Sequence, residues 1–163
     1  MIRALTADDL HAYRSLWLHG LSADPSAFLL TAAEAVATTD SALVAKLSAG
    51  EGIGAFEGEA LVGFVALRRG GPERMRHMAD LGPLYVHPSA RRRGLARALM
   101  DAAVETALAL DILQLELCVD IQNAAAQALY QACGFEQIGV RPRSVIADGV
   151  ARNDVLMLRQ LDA

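Results

Sequence analysis

The run Arg91-Arg92-Arg93-Gly94-Leu95-Ala96 gathers positive charge at the threshold of an amphipathic stretch. Residues of these types suit one kind of chemistry, the holding of a compact anion such as phosphate. The first turn of a helix carries backbone N–H groups without intrahelical acceptors, and the macrodipole adds positive potential there. Gly94 lets the backbone approach an anion closely, Ala96 keeps the next contact small, and a guanidinium can bind phosphate through two hydrogen bonds. The chain has a formal net charge of −4, so these arginines, joined by Arg97, are a local exception. Such a spot suits a small polyanion. Nucleic acid would need a broader basic surface with interleaved aromatics, which the sequence lacks.

The loop fits neither G-x-x-x-x-G-K-[ST] nor G-x-G-x-x-G. Taken alone, its R-x-x-G-x-A pattern also fits a solvated basic turn in front of an ordinary helix. The surrounding elements therefore matter.

Apolar Ala96, Leu99, Met100, Ala103, Val104, Ala107 and Leu108 predict a helix from Arg93 to Leu110. The strand-like HMADLGPLYVHP precedes the loop, and Gly82-Pro83 within it should interrupt the ladder. Upstream, Thr6-Ala-Asp-Asp9 caps a first helix over about residues 7–19, with Leu5 and Leu10 at the staple positions. Thr31 and Glu34 cap a second helix, broken near Thr38-Thr39-Asp40. Residues 52–69 read as two strands turning at Glu57-Gly58-Glu59. Downstream come a strand over Leu113–Val119 and a short helix from Asn123 to Ala132 closed by Gly134. Strands Phe135–Val140 and Asp154–Leu161 end the chain, with a turn at Asp148-Gly149 between them. The expected architecture is one α/β domain over residues 1–163 with a mixed sheet.

In this context the loop resembles the pyrophosphate loop of the GNAT family of N-acetyltransferases, Q/R-x-x-G-x-G/A. A second family pattern, N-x-x-A-x-x-L-Y-x-x-x-G-F, is matched by Asn123-Ala-Ala-Ala126-Gln-Ala-Leu129-Tyr130-Gln-Ala-Cys-Gly134-Phe135. Both occur in the family's order and spacing, and the resemblance covers essentially the whole chain. It implies the GNAT fold: a mixed, mostly antiparallel sheet of six to seven strands, about four flanking helices, and a splayed strand pair that binds acyl-CoA.

The resemblance further implies acetyl-CoA as acyl donor and direct attack on it by an amine. Main-chain groups from Arg92 to Arg97 would cradle the pyrophosphate, within a loop comprising Arg91, Arg92, Arg93, Gly94, Leu95, Ala96 and Arg97. Leu84, Tyr85 and Val86 would pair with the pantetheine arm, and an amide in this stretch would polarise the acetyl carbonyl. Gly82-Pro83 matches the family's bulge. Tyr130 would protonate the departing sulfur, the alternative being simple packing beside Leu129. Asn123 would touch the cofactor arm, cap its helix, or do both. The glutamate that some members carry five residues before this Asn is Cys118 here. Candidate general bases are then Glu116, Asp80, His77 and His87, with water-mediated deprotonation or ordinary solvated carboxylates as alternatives. Trp17, Phe28 and Arg143 either line the acceptor pocket or, for the two aromatics, belong to the core. A non-catalytic acyl-CoA-binding or sensing module and a transferase using another acyl-CoA are competing readings.

No apolar run approaches the roughly 20 residues of a membrane span, and MIRALTADDL lacks the apolar stretch of a signal peptide. Cys118 and Cys133 lack C-x-x-C spacing and suggest reduced thiols in a cytoplasmic protein, with no metal site. The expected partners are acetyl-CoA and an amine, with a homodimer possible.

Overall fold

The computed structural model describes residues 1–163. The Thr31 hydroxyl accepts the Glu34 N–H at 3.2 Å, and the Glu34 carboxylate accepts the Thr31 N–H at 2.8 Å. This capping box opens a helix over Ala32–Ala37, and Thr39 caps the next, Asp40–Ser48. The break expected at Thr38-Thr39-Asp40 thus lies where the chain must restart with a fresh cap. With Leu10–Ala23 as α1, these are α2 and α3. The first helical path is split: a 3-10 turn over Ala7–Asp9 precedes α1, which runs four residues beyond the expected end at 19. The helix after the arginine loop, α4, spans Leu95–Ala109, and α5 spans Ala124–Ala132.

The strands are β1 (Ile2–Ala4), β2 (Gly52–Glu57), β3 (Ala60–Arg69), β4 (Met78–Val86), β5 (Gln114–Asp120), β6 (Glu136–Ala147) and β7 (Val150–Gln160). They form one sheet in the order β1-β2-β3-β4-β5-β7-β6. β4 and β5 are parallel; β1–β2, β2–β3, β5–β7 and β6–β7 are antiparallel. The mixed, mostly antiparallel seven-stranded sheet is the expected one, with five α-helices where about four were expected. β1 has only three residues and left no readable pattern. β6 and β7 extend beyond the expected 135–140 and 154–161 into RPRS and ARND, which carry no apolar alternation; the ladder resumes at Val145–Ala147 beyond a bulge held by Asn153 and Asp154 side chains.

The residues fall into two compact units: Met1–Arg68 with Gly82–Ala103, and Arg69–Leu81 with Val104–Ala163. In the first, Leu5, Leu16, Trp17, Leu21, Phe28, Leu43, Leu47, Phe56, Phe64 and Tyr85 form a buried cluster. Trp17 and Phe28 are core residues, 5% and 7% exposed. Gly20 makes this packing possible. A Cβ there would lie 2.7 Å from the Phe28 ring. At the start of the unit, Arg3 grips Asp9 through two 2.8 Å bonds, and the Asp9 carboxylate also accepts the Thr6 N–H at 2.8 Å. The Arg3 hydrogen bonds outweigh partial desolvation and pull the Asp9 carboxyl down to about 2.

In the second unit, Leu115, Leu117 and Val119 of β5 and Val155 and Met157 of β7 are buried, with Cys133 and Phe135. Gly134 has φ +86°, the left-handed closure expected after α5. Asp120 accepts from Arg152 at 3.1 Å, and buried Asp154 accepts from the Ser144 hydroxyl at 2.6 Å. These bonds tie the far half of the β6–β7 hairpin to its neighbours.

Candidate active site

In the arginine loop, Arg92 and Gly94 both adopt positive φ, +62° and +76°. The first helical bond of α4 is Ala98 N–H to the Gly94 carbonyl at 3.0 Å. The amides of Leu95, Ala96 and Arg97 therefore precede the first repeat of the helical ladder. Nothing lies within 4 Å of where a Gly94 Cβ would sit, so the space above the turn is open. Two left-handed residues on either side of Arg93 bend the backbone directly ahead of a 15-residue helix, whose positive end and free amides favour an anion. Free amides at a helix start beside an open turn are chemically suited to a phosphate group.

The arginines divide their work. Arg91 Nε donates to the Val86 carbonyl at 2.8 Å, while Arg93 donates to Glu57 at 2.6 Å and to the Ser89 carbonyl at 3.0 Å. Arg97 pairs with Asp101 at 3.2 Å. Arg91 and Arg93 thus fold the loop, and Arg92 is the member of the triplet without an ion pair or side-chain hydrogen bond. Residue type alone could not have separated these roles.

Leu84, Tyr85 and Val86 lie at the end of β4, beyond the Gly82-Pro83 peptide, which is cis. The Tyr85 side chain is buried, with its hydroxyl 2.9 Å from His19 Nδ1. Burial pushes its phenol up, with Arg91 opposing. His19 also lies 4.5 Å, ring to ring, from His87. Both histidines line a cavity of about 260 Å³ with Ala12, Ser15, Leu16 and Leu61. His87 Nδ1 accepts the Ser89 N–H at 3.2 Å and lies 2.7 Å from the Ser89 hydroxyl, so this nitrogen is committed to the turn. His19 had no sequence signal. It becomes visible only when α1 packs.

In the second unit, Asp80 of β4 and Glu116 of β5 are Cα partners and share a sheet face. Glu116 accepts from the Gln114 amide at 3.2 Å. Cys118 follows on the same face. Partial burial first, then Asp154, Asp80 and Glu116, push its thiol up, while Arg141 opposes. It is a thiol at neutral pH and a poor substitute for a basic carboxylate. The His77 carbonyl accepts the Leu113 and Gln114 N–H groups, and its side chain is exposed. Asn123 Oδ1 accepts the Ala126 N–H at 3.1 Å and caps α5. Tyr130 stands edge-on to Phe135 with ring centroids 6.3 Å apart, and burial raises its phenol to about 12. No group of three or more His, Cys, Asp or Glu side chains is arranged to hold a metal ion.

A mixed seven-stranded sheet with α4 after the arginine loop and α5 after β5 is matched by known proteins. The model of the acetyltransferase (GNAT) family matches residues 20–135. The chain belongs to this family. An acetyltransferase of the GNAT family from Streptococcus pneumoniae superposes with a TM-score of 0.87 at 25% identity, with 98% of each chain covered. A putative acetyltransferase from Salmonella typhimurium, solved with its cofactor acetyl-CoA, shares the fold with a TM-score of 0.87 at 19% identity over 100% of this chain and 94% of its own. In sequence, a mycothiol acetyltransferase from Beutenbergia cavernae is 42% identical over 65 residues, 38% of this chain and 22% of that protein. The chain spans 22% and 28% of the length of two curated relatives it matches. No helix of this GNAT chain is long and apolar enough to cross a membrane.

Proposed function

We propose that this chain transfers an acetyl group from acetyl-CoA directly to a primary amine. The observation that carries this reading is the turn before α4, where Arg92 and Gly94 take positive φ and the space above Gly94 is open. The acetyltransferase family supplies the reaction class, and the Salmonella neighbour holds acetyl-CoA.

In this reading the Arg92–Arg97 amides bind the pyrophosphate, with Arg92 as the guanidinium available for it. Main-chain groups of Leu84, Tyr85 and Val86 bind the pantetheine arm, and an amide among them stabilises the oxyanion that develops on the acetyl carbonyl. The neutral amine attacks that carbonyl; the C–N bond forms and the C–S bond breaks. Glu116 or Asp80, directly or through water, takes the proton the nitrogen loses. Tyr130 donates to the leaving sulfur. Its raised pKa keeps the phenol protonated throughout the neutral and mildly alkaline range, so the proton is in place to be given to the developing thiolate, while burial makes it a weaker acid than a free phenol. Asn123 remains a helix cap whose amide N–H₂ is available to the cofactor arm.

The test is thermal stabilisation by acetyl-CoA together with thiol release across a panel of amines. Saturating acetyl-CoA at about 100 Kd should stabilise the fold by about 2.7 kcal/mol. Absence of binding sinks the proposal. Binding without turnover for any amine would leave the acyl-CoA sensor as the better reading.

A further inference from the structure

Building on the acetyl-transfer reading above, we propose that the acceptor is an amine that also bears a carboxylate, and that Arg141 and Arg143 recognise this carboxylate. Arg3, Arg14, Arg93, Arg97 and Arg152 are ion-paired inside the protein, while Arg91 and Arg159 donate to backbone carbonyls. The guanidiniums of Arg141 and Arg143 do neither, although Arg141 is the register partner of Asp154. That carboxylate is engaged by the Ser144 hydroxyl at 2.6 Å.

The strand around the two arginines is held by its neighbour. Between Arg141↔Asp154 and Val145↔Arg152, three residues of β6 stand against one of β7. Within this bulge Arg143 is left-handed, at φ +52°, and its N–H donates to Asn153 Oδ1 at 2.9 Å. Side chains of β7 thus pin both Arg143 and Ser144. Bulges re-aim side chains out of the ladder, and here the side chain presented is a guanidinium in a backbone conformation that glycine would occupy more easily.

The register also fixes what lies on the same face. Arg141, Asp154 and Asp120 form one row across β6, β7 and β5. Cys118 and Glu116 follow along β5 on that face, and Asp80 stands opposite Glu116. Arg141 stands level with Asp120, two strands away, and Glu116 lies four residues further along β5, so roughly 16 Å separates the backbones of Arg141 and Glu116 at the usual strand spacing and rise, part of which the two side chains can span. Asp80 and Glu116 toward one end of this face and Arg141 toward the other, with Arg143 in the adjoining bulge, are complementary to an amino-carboxylate whose two charged groups are several bonds apart, with the amine toward Asp80 and Glu116. A carboxylate suits the planar fork of an arginine, and two arginines two residues apart can share it.

The experiment compares ω-amino acids and short peptides of increasing length with the matching carboxamides, following thiol release from acetyl-CoA in the wild type, Arg141→Gln, Arg143→Gln and the double variant. The wild type should favour the acids by about tenfold or more in kcat/KM. The double variant should lose that preference, through KM for the acid and with KM for acetyl-CoA unmoved. Arg143→Glu should favour the carboxamides outright. Both positions are exposed, so circular dichroism should show an unchanged fold. Equal wild-type rates for acids and carboxamides, or a preference that survives both substitutions, overturns this inference while leaving acetyl transfer intact. No thiol release with any acceptor overturns both.

Discussion

Asp80 and Glu116 face each other across the parallel β4–β5 ladder as Cα partners, which sets two carboxylates side by side on one sheet face. Both carboxylates are thereby presented to the same side of the sheet, where either can accept the proton the amine loses in the proposed reaction. On the proposed mechanism, Glu116→Gln should lower kcat at pH 7 by about 100-fold, the ordinary contribution of a general base. Asp80→Asn should cost less, and the double variant should fall short of the product of the two effects. The deficit should shrink at alkaline pH, where the amine loses its proton unaided. Steady-state rates from pH 6 to 10 check this; wild-type rates in both single variants would remove these residues from the chemistry.

Gly94 separates conformational from electrostatic effects in the loop. A Cβ there meets no neighbour, yet φ is +76°. Gly94→Ala should therefore destabilise the protein by about 1 kcal/mol through backbone strain alone. Gly94→Glu carries the same strain and adds a negative charge at the turn, so acetyl-CoA affinity should fall at least tenfold further. Denaturant unfolding and titration calorimetry measure the two quantities separately.

Tyr130 has its phenol raised to about 12 by burial. Loss of its proton therefore cannot produce an alkaline limb near pH 10. Tyr130→Phe should lower kcat by about 10- to 100-fold while leaving the acetyl-CoA dissociation constant nearly unchanged. A wild-type profile that falls near 10, with the fall absent in Tyr130→Phe, would contradict the burial argument.

The Arg3–Asp9 clamp predicts an acid-sensitive N-terminus. The folded-state pKa of Asp9 is about 2, below the ordinary 3.8, so the carboxylate contributes stability that is complete above about pH 4 and is lost as pH falls toward 2. Asp9→Asn should lower stability at pH 7 and flatten its decline between pH 4 and 2. Thermal melts of both proteins over that range provide the comparison.

Local signals carried much of this fold into the sequence. Thr31 and Glu34 cap a helix because their reach is three residues, and Gly134 ends one because its own φ must be positive. The loop at Gly94 is legible for the same reason: a glycine turn at a helix start is a short-range object. β1, three residues long, is too short to show a period. The far halves of β6 and β7 were hidden because RPRS and ARND have no apolar face, their order coming from cross-strand pairing and from side-chain bonds at the bulge.

By itself, then, the sequence determined most of the elements, the glycine turn at the start of α4 and the family resemblance, all of which rest on residues a few positions apart. Tertiary structure decided which side chains meet. It turned Arg91 and Arg93 onto loop carbonyls and Glu57, buried Trp17 and Phe28, and set His19 beside Tyr85. It also put Asp80 opposite Glu116 and left Arg141 and Arg143 without carboxylate partners. The physical reason is strand register. A shift of one residue would move every side chain of β5 or β6 to the other face, and that register is fixed by pairing between segments far apart in the chain.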